Sequence, residues 1–102
     1  MVPELVTERQ LNAMAEGNRH LVVLFSAEWS KPCRLFEPVL EQAAARAPEG
    51  AAFARLNVED LPSMAEKHGI RSLPALVYFR DGKPVRRSVG LQTPAGILEQ
   101  LK

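Results

Sequence analysis

Five consecutive apolar residues, Leu21-Val22-Val23-Leu24-Phe25, set the tightest limit on what this chain can fold into. Side chains along a strand point alternately to opposite faces, so an unbroken apolar run with β-branched members suits a strand covered on both sides. Such a strand belongs inside a largely parallel sheet with helices over each face. No apolar run in the chain is longer, and it falls far short of the roughly 20 residues that span a bilayer.

The flanking sequence supplies those helices. Thr7-Glu8-Arg9-Gln10 fits a capping box, and the helix it starts runs to about Glu16, with Leu11 and Met14 inward and Gly17 ending it. After a turn from Ser26 to Pro32, a second helix carries Leu35, Phe36, Val39, Leu40, Ala43 and Ala44 on its inner face. Pro38 lies inside that helix and should kink it by removing one backbone bond. Ala51 to Asn57 reads as a strand, and Leu61 to His68 as a short helix with Pro62 near its first position and Gly69 at its end. Ala75 to Arg80 and Pro84 to Val89 flank Asp81-Gly82, a strong hairpin signal. Thr93-Pro94 opens a last helix that turns Ile97, Leu98 and Leu101 inward. A short strand from Val2 to Leu5 precedes them all. The expected architecture is α/β, a central mixed sheet of four to five strands with helices on both faces.

Length and composition agree. The 102 residues suit a single domain spanning 1–102, and 46% hydrophobic with 25% charged residues is ordinary for a packed core. A formal charge of +1 gives no electrostatic reason for nucleic acid as a partner. One cysteine cannot form an internal disulfide, and the first residues hold no apolar stretch of signal-peptide length. These features lead us to expect a soluble, cytoplasmic protein with no membrane partner. His20 and His68 have no cysteine or carboxylate at ligand spacing, so no metal is expected, and no motif calls for a cofactor.

Several short segments then resemble one family. Phe25-Ser26-Ala27-Glu28-Trp29 is similar to the strand end before the redox turn of thioredoxins, and Trp29-Ser30-Lys31-Pro32-Cys33 resembles their Trp-Cys-Gly-Pro-Cys motif. Pro38 falls where the family kinks its second helix. Gly69-Ile70-Arg71-Ser72-Leu73-Pro74 resembles the segment with the family's cis-proline, here Pro74. Phe79-Arg80-Asp81-Gly82 and Val89-Gly90 match its hairpin and the loop beyond. The resemblance covers nearly the whole chain and implies the thioredoxin fold. Function needs a separate argument.

Thiol–disulfide exchange requires a thiolate to attack, a mixed disulfide, and a second thiol to release the product. By the resemblance, the attacking position is Ser30 and the resolving position is Cys33. A hydroxyl cannot join a disulfide, so the two-cysteine cycle is closed to this sequence. Locally, Ser30 suits the N-cap of the following helix; a sharper reading, compatible with the cap, is that it stands in for a cysteine and bonds to the Cys33 sulfur. For Cys33, a helix start favours a thiolate and burial opposes it, and its inner place in the family pattern implies an unreactive thiol. The family commonly places a buried Asp in the preceding strand, to move the resolving cysteine's proton; the matching residue is Leu24, which can neither hold nor pass a proton. Lys31, where the family has glycine, reads as a solvated side chain, and Glu28 and Arg34 as solvated charges.

The surface remains usable. The resemblance implies an apolar groove for an extended peptide, formed by Trp29, Lys31 and Pro32 of the turn, Leu73-Pro74, and Val89-Gly90-Leu91. Backbone pairing at Leu73 would bind a strand without covalent chemistry. The first functional reading is therefore a thioredoxin-like peptide- or protein-binding module whose dithiol exchange is lost or attenuated. The alternative is an active thioredoxin-type disulfide oxidoreductase carrying a Cys-to-Ser change at position 30, with a thioredoxin-reductase-like partner. A monothiol enzyme working through Cys33 ranks last, because the attacking position is the one lost.

Overall fold

The structure, a computed structural model, describes residues 2–102. Nine elements follow one another: β1 (Glu4–Leu5), α1 (Glu8–Gly17), β2 (His20–Ser26), α2 (Lys31–Ala45), β3 (Ala51–Asn57), α3 (Pro62–Lys67), β4 (Ala75–Arg80), β5 (Lys83–Val89) and α4 (Pro94–Glu99). The five strands form one sheet in the order β1-β3-β2-β4-β5. β2 pairs parallel with β3 and antiparallel with β4, so the apolar run that demanded cover on both faces is the central strand.

Its side chains part between two cores, as period-two alternation requires. Leu21, Val23 and Phe25 pack with Leu11 of α1, Met64 of α3, and Val77 and Phe79 of β4. Val22 and Leu24 pack on the opposite face with Phe36, Leu40 and Ala43 of α2, Tyr78 of β4 and Ile97 of α4. All five residues of the run are fully buried.

Local chemistry sets the boundaries. The Thr7 hydroxyl accepts from the Gln10 amide while the Gln10 side chain accepts from the Thr7 N–H, the reciprocal cap expected for α1. The helix extends through Gly17 itself, and Asn18 beyond it donates through Nδ2 to the Met14 carbonyl. In the hairpin, Asp81 (φ 51°) and Gly82 (φ 85°) are both left-handed, as a two-residue turn between twisted strands needs. β5 therefore starts at Lys83, opposite Arg80, one residue earlier than the sequence suggested. The register then slips between Tyr78 and Phe79, leaving Val85 as the extra residue of a bulge beside Pro84, which has no N–H to give the ladder. The free edge of β5 carries exposed Lys83, Arg86 and Arg87, and charges on an outer strand oppose pairing with another chain.

Two expectations need correction. Leu35 is 54% exposed, not inward, because α2 buries Cys33, Phe36, Leu40 and Ala43 and leaves Leu35 beside the stripe. β1 is also shorter than Val2 to Leu5, with Val2 packed into the α2/α4 core and only Glu4–Leu5 laddered to β3. Among the described residues, no helix is long and apolar enough to cross a membrane.

His68, at the end of α3, meets the rings of Phe25 and Phe79 edge-on, with centroids 5.8 and 5.5 Å away. Burial, and then the nearby Lys67 and Arg87 cations, hold its pKa below the usual 6.5, against an opposing pull from Glu8. The unfolded chain therefore binds this proton more readily than the folded one. Stability from neutral His68 is complete above pH 6.5 and is lost as pH falls toward the lowered value. Urea unfolding at pH 7.5 and at about pH 5 should show that loss, and His68→Gln should lessen it. An identical pH dependence in His68→Gln would contradict the assignment.

Candidate functional site

The site forms where β2 leaves the sheet. Ser26, its last residue, is anchored to β3 from both sides: its Oγ donates to the Leu56 carbonyl at 3.3 Å, and its own carbonyl accepts from the Val58 N–H at 2.9 Å. The chain then turns tightly, with the Ser30 N–H donating to the Ala27 carbonyl at 3.1 Å. This turn pushes Trp29 outward, 69% exposed, and draws Ser30 inward, 6% exposed.

Ser30 is the N-cap of α2. Its backbone is extended (φ −90°, ψ 114°) and its Oγ accepts from the Cys33 amide at 3.4 Å. Of the two expectations for this hydroxyl, the structure records the cap. Lys31 and Pro32 occupy the exposed first helical positions, where proline's fixed φ and missing N–H are harmless. Cys33 lies one turn in and is 1% exposed, a free thiol facing the protein interior. Arg34 is not a purely solvated charge: its guanidinium reaches back over the turn and donates to the Glu28 carbonyl. The cap and this strap fix the turn from inside and outside.

Leu24 is fully buried in β2, between Arg55 of β3 and Leu76 of β4. Arg55 already donates to the Val2 carbonyl at 3.1 Å and pairs with Glu4 at 3.7 Å. No carboxylate stands at position 24 to take a proton from the α2 start. Among the described residues, no group of three His, Cys, Asp or Glu side chains is placed to hold a metal.

The Leu73–Pro74 peptide bond is cis, as the sequence predicted. Pro74 is buried and its carbonyl accepts from the Gly90 N–H at 2.8 Å, which docks the loop after β5 against it. Gly90 has φ +90°, a conformation that side chains rarely adopt. On either side of it, Val89 and Leu91 are 56% and 57% exposed.

A cavity of about 290 Å³ opens beside the turn, lined by Trp29, Ser30, Val58, Ala65, Ile70, Arg71 and Leu73. The structure thus brings Trp29, Ser30 and Leu73 together around one hollow. Lys31, Pro32, Pro74, Val89, Gly90 and Leu91 do not line it. Sequence reasoning missed Val58, Ala65, Ile70 and Arg71 as site residues. Ile70 and Arg71 fall in the very segment that carries Pro74, and that adjacency was the available signal. Val58 and Ala65 arrive through the β3–α3 crossover, which leaves no local mark in the sequence.

Chemically, the turn offers a capped hydroxyl, a buried thiol and an exposed indole. It has no second thiol to resolve a mixed disulfide.

Comparison with known proteins places this geometry. The thioredoxin family profile matches residues 2–102. The chain is 38% identical to the thioredoxin of Staphylococcus aureus over 96 residues, covering 94% of this chain and 91% of that protein. It is 33% identical over the same length, with the same coverages, to the thioredoxin of Alicyclobacillus acidocaldarius. Among solved structures, a mutant thioredoxin from Halobacterium salinarum superposes with a TM-score of 0.90 at 31% identity, over 97% of this chain and 87% of that one. The five-stranded mixed sheet with α1 and α3 on one face and α2 and α4 on the other is the thioredoxin fold, and the chain belongs to the thioredoxin family.

Proposed function

We propose that this thioredoxin-family protein is a peptide- or protein-binding module in which dithiol exchange is lost or strongly attenuated. One observation carries the reading: the only cysteine, Cys33, is 1% exposed behind a serine that fills the attacking position. Exchange needs an accessible thiolate first and a resolving thiol second, and neither is offered. The surface beside the turn keeps what a binding module needs. Trp29, Val89 and Leu91 present exposed apolar area, Leu73 lines the hollow and is followed by the buried Pro74, and Lys31 and Pro32 are exposed at the start of α2.

The well-formed turn favours a second reading, an active disulfide oxidoreductase represented with a Cys-to-Ser change at position 30 and served by a thioredoxin-reductase-like partner. Insulin disulfide reduction separates the two. The chain as it stands should not accelerate the reaction. Ser30→Cys should remain about a hundredfold slower than the Staphylococcus aureus thioredoxin assayed alongside, since Leu24 supplies no general base. Rapid turnover by Ser30→Cys with a reductase would establish the second reading instead.

A further inference from the structure

The hollow beside the turn is apolar except at two points. Trp29, Val58, Ala65, Ile70 and Leu73 supply its walls, and the Ser30 hydroxyl is already engaged by the Cys33 amide. Arg71 is the one ionisable residue in the lining. It is exposed, and among the described residues it has no hydrogen bond or ion pair, in contrast to Arg34, Arg55 and Arg87, each of which donates to a backbone carbonyl.

A guanidinium holds its donors in a rigid fork that matches a carboxylate, and it stays charged at all working pH values. An apolar hollow with such a fork at its rim is complementary to a ligand with an apolar side chain and a carboxylate side by side. A lysine at the same ligand position would face Arg71 and be repelled. Resting on the binding reading above, we propose that the groove selects extended peptide segments in which Asp or Glu stands two residues from a large apolar residue, so that both side chains fall on one face of the strand, with Arg71 as the specificity-determining residue.

Trp29 is the chain's only tryptophan and lines the hollow, so its emission reports occupancy directly. The probes are short synthetic Gly-Ser peptides with a central Leu-Val-Glu-Val, Leu-Val-Gln-Val or Leu-Val-Lys-Val, titrated against the full chain. The Glu peptide should bind about fivefold tighter than the Gln peptide, the range of a partly exposed charge pair, and the Lys peptide most weakly. Raising salt from about 50 to about 500 mM should shrink the difference. The preference should vanish in Arg71→Gln and be reduced in Arg71→Lys, which keeps the charge and loses the fork. Equal binding of the Glu and Gln peptides overturns the selectivity and leaves the binding reading standing. Failure of every peptide to move Trp29 emission overturns both. A concentration-dependent Trp29 shift without peptide would assign the hollow to a second copy of the chain and also overturn the proposal.

Discussion

Cys33 in the native protein is expected to react with a small thiol reagent at least about a hundredfold more slowly than free cysteine at the same pH, a factor equivalent to about 2.7 kcal/mol of local opening. The sulfur sits on the first turn of α2 at 1% exposure, behind a serine that is itself 6% exposed. Reagent must therefore wait for the start of the helix to open. That opening breaks the Ser30 cap and the Arg34 strap across to Glu28 together. In denaturant the rate should rise to that of free cysteine, which separates burial from any intrinsic inertness. Native labelling near the free rate would mean that the turn opens readily, and the loss-of-exchange reading would lose its main support.

Replacing Leu24 by Asp should destabilise the protein by about 4 kcal/mol near neutral pH, combining the loss of a buried leucine with the cost of a carboxyl group in an apolar layer. Leu24 has no exposed surface and packs with Val22, Phe36 and Leu76. Arg55 is its neighbour in register but is occupied with the Val2 carbonyl and Glu4. Burial would raise the pKa of the new carboxyl above its unfolded value. Its folded form is then favoured while protonated, so the variant should be relatively most stable at low pH and weaken as pH rises through the raised value. Urea unfolding across pH checks both sign and size. A loss under about 1 kcal/mol at pH 7, below the range for emptying a packed leucine site, would show that Arg55 swings over to pair with it. In that case this layer still accepts the family's acid.

What the sequence revealed and what it hid follow from the range of the interactions involved. β2 was legible because five adjacent residues report both faces of their own strand, and α1 because its cap lies within four residues of chain. The hairpin at Asp81-Gly82 was legible for the same reason, although the register of β5 beyond its first residues depends on the bulge beside Pro84. Leu35 misled because an apolar residue on a helix next to a buried stripe looks the same in sequence whether it faces the core or solvent. In the site, Ser30 as N-cap came from a local motif and the cis Leu73–Pro74 bond from the family resemblance. The walls of the hollow did not, since Val58 and Ala65 belong to the β3–α3 connection and meet Trp29 only in the folded chain, a long-range contact that leaves no periodic trace. The reach of Arg34 to Glu28 was hidden too, because a long flexible side chain has many partners within range and sequence does not choose among them.

The lone sulfur of α2 bears on more than reactivity. A two-cysteine turn exists in two covalent states, and ambient potential sets the proportion between them. With Cys33 as the only cysteine, no intramolecular disulfide can form, so the turn has a single covalent connectivity. Whatever approaches Trp29 therefore meets the same surface in oxidising and in reducing surroundings. On the proposed binding reading, occupancy of the groove is then governed by concentration and affinity, and a partner is held or released by mass action without any transfer of electrons.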